Sequence, residues 1–493
     1  MPFAELRLRR AEGGVVLEQE SDGTIRLPAA PPRKFESLLT GRAPQDAVLL
    51  TQQISGDSSL SHALAAVLAW ESVTGGRVAE NGVLLRDVLH LLSFVHAHLR
   101  QFYLQSLPDY LPPQEYSRYA GADPALKVRA AGFSGKAKRS WSKFRFSHAF
   151  TREEADRLME NQARAVQAMD RLQRMMAALG GKFPVVMSIV PGGFTVPVTE
   201  PLVLKLRAYL REIAPFLRGV PFQDAKLVVR RYPDLKTMGN GIPDFLSAGT
   251  MGDESGPGAS HYPAGVLVGR RLEPLQERMT ESLHRAFYRI APPRTGAPNA
   301  VLEAPDKPGA YSWIKAPRYA GGAMETGSIA RLAIIQISGS RGHSAATLTD
   351  LDESLADFPF GAVTVAGRML ARLGELPALV RRLEETVEQL LPGHLTVAAE
   401  KPDPEAGGEG IASIEAPAGL LHHRMAVEKG RVVQYDIVTP STWNGASSDE
   451  KEIPGPLERA LNRDYLDLRT AEDGRDASRI VHSFAFSATD AVQ

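Results

Sequence analysis

The sequence predicts an α+β fold that is mostly helical: a bundle of long helices flanked by small β elements at both chain ends. Three observations lead there. Alternating apolar and polar residues with glycine turns occur near the N-terminus and again over 396–440. The intervening chain carries several long stretches of helical periodicity. Strands and helices do not alternate regularly, as a doubly wound sheet would require.

The elements follow in order. Residues 4–28 read as a hairpin or small meander, with Glu5 to Arg9 and Val15 to Glu18 alternating, and Gly13-Gly14 and Asp22-Gly23 as turns. Helical periodicity runs from about His62 to Trp70. A second helix spans about 82–105, with Val83, Leu84, Val88, Leu91, Leu92, Val95 and Leu99 on one stripe and Pro108, Pro112 and Pro113 ending it. Residues 152–179 form an amphipathic helix opened by Thr151, with Glu153 and Glu154 in its first turn and Gly180-Gly181 as its stop. Another helix spans about 200–217. Residues 234–262 and 292–311 read as loops. A helical stretch over about 361–391 carries Leu370, Leu373, Leu383 and Val387, with Pro377 as a kink. Strands return over 396–440, with Lys429-Gly430 as a turn. The expected organisation is one domain over 1–493: an N-terminal β unit (1–30), a helical body with loop insertions (58–395), and a C-terminal β unit and tail (396–493).

Composition excludes several classes. Lys+Arg and Asp+Glu balance at 57 each, which gives no bulk attraction to nucleic acid or an anionic membrane. The basic run Lys127 to Arg145, interleaved with Trp141, Phe144 and Phe146, reads first as a solvated loop. Its second reading is a docking surface for an acidic partner or phosphate. No apolar run reaches about 18 residues, so no direct membrane insertion is expected. The N-terminus lacks the apolar core of a secretory signal, so cytoplasmic location is expected, or membrane association through a partner. The 493 residues contain no cysteine. That excludes disulfides, zinc–thiolate sites, Fe–S clusters held by this chain and a cysteine nucleophile.

Motifs carry more. Ser55-Gly-Asp-Ser58 is followed by His62, and the chain ends Ser483-Phe-Ala-Phe486-Ser487-Ala-Thr-Asp490-Ala-Val-Gln493. These segments resemble the two metal-binding motifs of the [NiFe]-hydrogenase large subunit family, R-x-C-G-x-C-x-x-x-H and D-P-C-x-x-C-x-x-H. Gly180 to Gly193 resembles G-G-x-x-P-H-x-x-x-x-P-G-G. Tyr311 to Tyr319, Met324 to Arg331, Val438 to Asn444 and Gly455 to Glu458 resemble further family segments, in family order. The resemblance covers nearly the whole chain and implies that family's long-helix fold.

It also implies a degenerate site. Ser55, Ser58, Ser487 and Asp490 fall where the family has four metal-binding cysteines. Nickel and low-spin iron need soft thiolate donors, and hard oxygens suit Mg, Ca or Mn instead. Canopy positions are changed as well: Ala418 replaces an arginine, and Ala97 and Ala485 replace aspartates. Gln53 stands for the arginine ahead of the first pair, and Gln493 for the terminal histidine. No Ni–Fe centre is expected. Glu12 matches the family's proton-relay carboxylate and also reads as a solvated acid in a strand turn. His62 matches a histidine that hydrogen-bonds a thiolate and reads first as a hydrogen-bonded core histidine. Glu36 reads first as a helix-face carboxylate and second, with Gln493, as a magnesium site. Phe486, where the family has proline, is expected to plug the vacated site near His62 and Ala418. Ending at Gln493, the chain is expected to need no nickel-gated trimming.

The function expected is therefore a non-catalytic, large-subunit-like protein, a structural subunit docked to a small-subunit-like Fe–S partner. One alternative is a scaffold working with hydrogenase maturation proteins. The other is a repurposed enzyme or binder that uses the vacated cavity for a quinone or another small molecule.

Overall fold

The computed structural model describes residues 3–128, 148–249, 262–290, 301–339, 363–400, 403 and 405–491. The basic run ending at Arg145 lies mostly outside the described residues, as do Gln493 and, within the two stretches read as loops, residues 250–261 and 292–300.

The N-terminal unit is an antiparallel three-stranded sheet, β1 (Ala4–Leu8), β2 (Val15–Gln19) and β3 (Ile25–Arg26), in the order β1-β2-β3. Two short helices follow, α1 (Phe35–Leu39) and α2 (Pro44–Leu50). Sequence periodicity missed both, because each is two turns or fewer. Then come α3 (Ser59–Thr74), α4 (Glu80–Arg100), α5 (Arg152–Gly180) and α6 (Glu200–Arg231). Helices α4, α5 and α6 pack with the later α9 (Leu376–Gln389) as the central bundle.

Residue chemistry explains where these helices start and stop. Thr151 caps α5 reciprocally with Glu154, and Gly181 at φ 78° ends it. A capping box of this kind contributes about 1 kcal/mol. Helix α3 is buried on nearly every face, from Ser59 to Glu71, so it shows no amphipathic stripe. A helix was expected to end near 217, yet α6 continues past both Pro215 and Pro221 to Arg231. Each proline removes one backbone donor, and burial of Phe222, Ala225 and Val228 outweighs that loss. The 361–391 stretch divides into α8 (Val365–Gly374) and α9, with Pro377 in the first turn of α9 instead of inside one kinked helix.

The middle of the chain is less loop-like than expected. Strand β4 (Phe245–Ser247) pairs with β5 (Gly265–Val268), and β7 (Val301–Glu303) pairs with β6 (Tyr288–Ile290). Strands of three or four residues are too short to show a period of two. Helix α7 (Ser328–Gly339) lies between them and α8.

The C-terminal sheet is β8 (Gly408–Ala416), β9 (Gly419–Glu428) and β10 (Arg431–Val438), antiparallel in that order. It lies directly on α3. A Cβ at Gly410 would sit 2.0 Å from the Ala69 carbonyl oxygen, so only glycine permits this approach. The expected C-terminal tail is in fact helical: α10 (Pro440–Asn444), α11 (Pro456–Arg463), α12 (Ala471–Ser483) and α13 (Ala488–Ala491). Among the described residues, no helix is long and apolar enough to cross a membrane.

Buried ion pairs cross-link these layers. Arg331 on α7 meets Glu375 at 2.8 Å and Glu415 at 2.6 Å. Arg368 on α8 meets Glu325 at 2.7 Å, and Arg318 meets Asp449 at 2.7 Å. The charged residues of the central motifs thus serve the interior of the fold.

Candidate functional site

Both chain ends converge at the first turn of α3. Ser55 follows a short 3-10 turn, Thr51–Gln53, and Ser58 is the N-cap of α3. Ser487 and Asp490 come from the loop before α13 and from α13 itself. Glu12 reaches in from the turn between β1 and β2.

Glu12 ties the ends together. Its Oε2 accepts from the Ser55 hydroxyl at 2.6 Å and the Ser487 hydroxyl at 2.8 Å. Its Oε1 accepts from the Gly56 amide at 2.6 Å, and its carbonyl accepts from the Ala488 amide at 3.0 Å. The solvated-acid reading of Glu12 is therefore replaced by a carboxylate with three donors. The hydroxyls also accept, Ser55 from the Ser58 amide at 3.2 Å and Ser487 from the Asp490 amide at 3.1 Å.

His62 and Asp490 begin a second chain. His62 Nε2 lies 3.0 Å from Asp490 Oδ1, and His62 Nδ1 lies 3.0 Å from His423 Nε2. His423 Nδ1 lies 2.9 Å from the Tyr435 hydroxyl. All four side chains are buried. One proton arrangement satisfies every contact: Tyr435 donates to His423, His423 to His62, and His62 to the Asp490 carboxylate. Burial and the neighbouring His62 and His422 hold His423 well below the usual histidine range, which keeps it neutral. Asp490 Oδ2 has no hydrogen-bond partner among the described residues.

A cavity of about 30 Å³ adjoins these groups. Ser58, Ser487, Asp490, Ala97, Ala418 and Ala485 all line it. The structure thus gathers three of the four ligand positions and all three altered canopy positions around one small space. Ser55 does not line it. Asp57 does; burial raises its carboxyl to about 6, against the opposing pull of its partner Arg100.

Phe486 is not the plug that was expected. Its buried ring lies against Gly445 and Leu27, away from the cavity. The reason is local. Ala485 adopts φ 51°, and Gly445 leaves a hollow that a Cβ would close, 2.3 Å from Phe486 Cε2.

Glu36 accepts from the Ile437 amide at 2.9 Å and lies 3.6 Å from the Lys315 ammonium, which also meets Glu281 at 3.1 Å. A divalent cation at Glu36 would have to displace that ammonium. Gln493 lies outside the described residues. Among the described residues, no group of three or more His, Cys, Asp or Glu side chains is placed to hold a metal.

Several site residues escaped sequence reasoning. Arg33 donates to the Ile54 carbonyl, to Gln53 O at 3.0 Å and to Thr489 O at 3.0 Å, clamping both ends from outside. Thr439 and Thr442 donate to the Asp490 and Ala491 carbonyls at 2.8 and 3.3 Å, and Ser441 accepts from the Ser487 amide at 3.1 Å. The signal for these was the Thr439 to Asn444 motif itself; Arg33 and His423 offered none.

The family model described as nickel-dependent hydrogenase matches residues 33–145 and 147–486. The chain belongs to the nickel-dependent hydrogenase family. Among its relatives, the periplasmic [NiFeSe] hydrogenase large subunit of Desulfomicrobium baculatum is 27% identical over 478 residues, covering 92% of this chain and 88% of the relative. The hydrogenase-2 large chain of Escherichia coli K12 is 24% identical over 537 residues, covering 96% and 92%. The Ni-Fe-Se hydrogenase of D. vulgaris Hildenborough in the reduced state superimposes with TM-score 0.82 at 23% identity, covering 99% of each chain. At that identity the likeness speaks for the hydrogenase large-subunit fold.

The donor set of this family member does not fit the family's metals. Two of the four positions are hydroxyls committed to Glu12, one is a neutral Ser58 hydroxyl, and Asp490 shares its carboxylate with His62. None supplies a thiolate.

Proposed function

We propose that this chain is a non-catalytic hydrogenase large-subunit relative, acting as the structural subunit of a complex with a small-subunit-like Fe–S protein. The observation that carries the reading is the use of the former ligand positions. Ser55 and Ser487 donate to Glu12, and Asp490 accepts from His62. Hydrogen bonds now hold together the two chain ends that a bimetallic centre would otherwise bridge. The helical body and its buried ion pairs are retained, so the surface that such a fold offers a partner can persist without the chemistry.

The quinone reading loses support. A cavity of about 30 Å³ has room for a few atoms, whereas ligand pockets for larger molecules run to several hundred Å³. The scaffold reading lacks a thiolate with which to hold an iron unit.

Co-purification of the tagged chain from its native host, with mass spectrometry and iron and sulfide analysis, tests the proposal. A stoichiometric Fe–S protein of small-subunit type is expected. Recovery of maturation proteins alone would replace this reading with the scaffold.

A further inference from the structure

Lys34 and Lys315 each face a carboxylate: Glu303 at 2.8 Å and Glu281 at 3.1 Å. Lys307 does not. Among the described residues, no carboxylate lies within ion-pairing distance of it. Its Nζ donates instead to three backbone carbonyls: that of Leu283, that of Ala286 at 3.1 Å and that of Tyr288 at 2.9 Å. Three acceptors need three protons, so the group is an ammonium; a neutral amine has two to give. Burial pulls its pKa below 10.5, and Glu450 opposes that from farther off.

The backbone itself sets the three oxygens around one point. Residues 283–288 form a tight turn leading into β6: the Ala286 amide donates to the Leu283 carbonyl at 3.1 Å, and the Tyr288 amide to the Ala286 carbonyl at 2.7 Å. Neighbouring segments lock that turn. The Phe287 amide donates to the Ser312 carbonyl at 2.9 Å, the Ala304 amide to the Phe287 carbonyl at 2.8 Å, and the Tyr311 amide to the Arg285 carbonyl at 3.0 Å. Carbonyl oxygens converging in this way repel one another unless a cation lies between them. Such oxygens are also the groups that replace the water shell of an alkali ion.

We propose that the 283–288 turn is a binding site for a monovalent cation of the size of ammonium or potassium, which this chain keeps filled with its own lysine. The three oxygens are neutral dipoles, which suits a single positive charge. A divalent ion would need carboxylate charge and roughly six oxygens. Lys307 comes from the 304–310 turn, so its ammonium staples two separate turns and makes their folding independent of dissolved salt. Leu283, Tyr288 and Lys307 line a surface groove, so a dissolved ion can reach the carbonyls once the lysine is shortened. The inference does not rest on the docking role proposed above.

The test is thermal unfolding of the full chain and of Lys307→Ala in potassium, ammonium or choline chloride at fixed pH and ionic strength. The unmodified chain should melt at the same temperature in all three salts. Lys307→Ala should melt lower in choline chloride and show a saturable rise in Tm with potassium or ammonium, since an ion that binds only the folded chain stabilises it. Lys307→Met keeps the side-chain stem without its charge, so it should melt low in every salt. Hydrogen exchange gives the local readout: the amides of 283–288 should lose protection in Lys307→Ala in choline and regain it in potassium. A Tm of Lys307→Ala that is equal in potassium and choline would overturn the proposal. So would an equal potassium response in Lys307→Met, a potassium response in the unmodified chain, or failure of Lys307→Ala to fold in potassium.

Discussion

Glu12 accepts three hydrogen bonds from groups of both chain ends: the Ser55 and Ser487 hydroxyls and the Gly56 amide. Bonds to a charged acceptor are worth about 1.5–3 kcal/mol each at most, and removing the acceptor strands the donors. Glu12→Ala should therefore destabilise the fold by about 2–3 kcal/mol in urea titrations. Ser487→Ala should cost about 1 kcal/mol alone and less in the Glu12→Ala background, since the two residues share one contact. Phe486 is tested in the same way: Phe486→Ala should cost about 3–5 kcal/mol, because the ring fills the hollow over Gly445. Motif spacing singled out Ser55, Ser58, Ser487 and Asp490, and the fold brings them together at the first turn of α3. Phe486 was misplaced because a positive φ at Ala485 turns the chain, and no residue type announces that. Arg33 and His423 could not be read at all. They reach the site from segments far away in sequence, and only the fold brings them in.

At the scale of elements, α7 is held by charge as well as by packing. Arg331 bridges Glu375 at the junction of α8 and α9 to Glu415 on β8, with all three side chains buried. Removing one partner of a buried network leaves the others unpaired, at a cost of about 3–5 kcal/mol. Arg331→Met should lose that much stability in chemical denaturation, and pairing it with Glu415→Gln should recover part of it. The sequence showed α5 well, because its cap, stripe and stop all agree: Thr151, the Leu158 to Leu179 face and Gly181. It showed α3 only over about His62 to Trp70, short at both ends, because a helix buried on nearly all sides leaves no polar stripe to mark its limits. It placed the end of α6 too early, because proline is a local signal and the buried Phe222 to Val229 face is a tertiary one. Strands of two to four residues in the middle of the chain carry too few positions for alternation to register.

Across the whole molecule, the N-terminal sheet, the central segment and the C-terminal helices meet at Glu458. Its oxygens accept from the Leu27 amide at 2.9 Å and the Tyr311 hydroxyl at 2.7 Å. Burial raises its pKa from 4.5 to about 7. A raised carboxyl pKa means that the folded state favours the protonated form. The associated stability is fully present below about pH 4.5 and is lost as pH rises through about 7. Buried Asp87, raised to about 7, acts in the same direction. Stability measured in urea should fall between about pH 4.5 and 7. Glu458→Gln should flatten that fall by about 3 kcal/mol, a shift of about two and a half units at about 1.4 kcal/mol each.

This member of the nickel-dependent hydrogenase family keeps the large-subunit fold, and hydrogen bonds through Glu12 and His62 join its two chain ends. Whether the junction excludes the family's metals is read by elemental analysis of the chain purified from its native host and separated from any partner. The expected content is well below one nickel and one iron per chain, with no hydrogen-dependent dye reduction by the intact complex. Near-stoichiometric nickel and iron on the separated chain would contradict it.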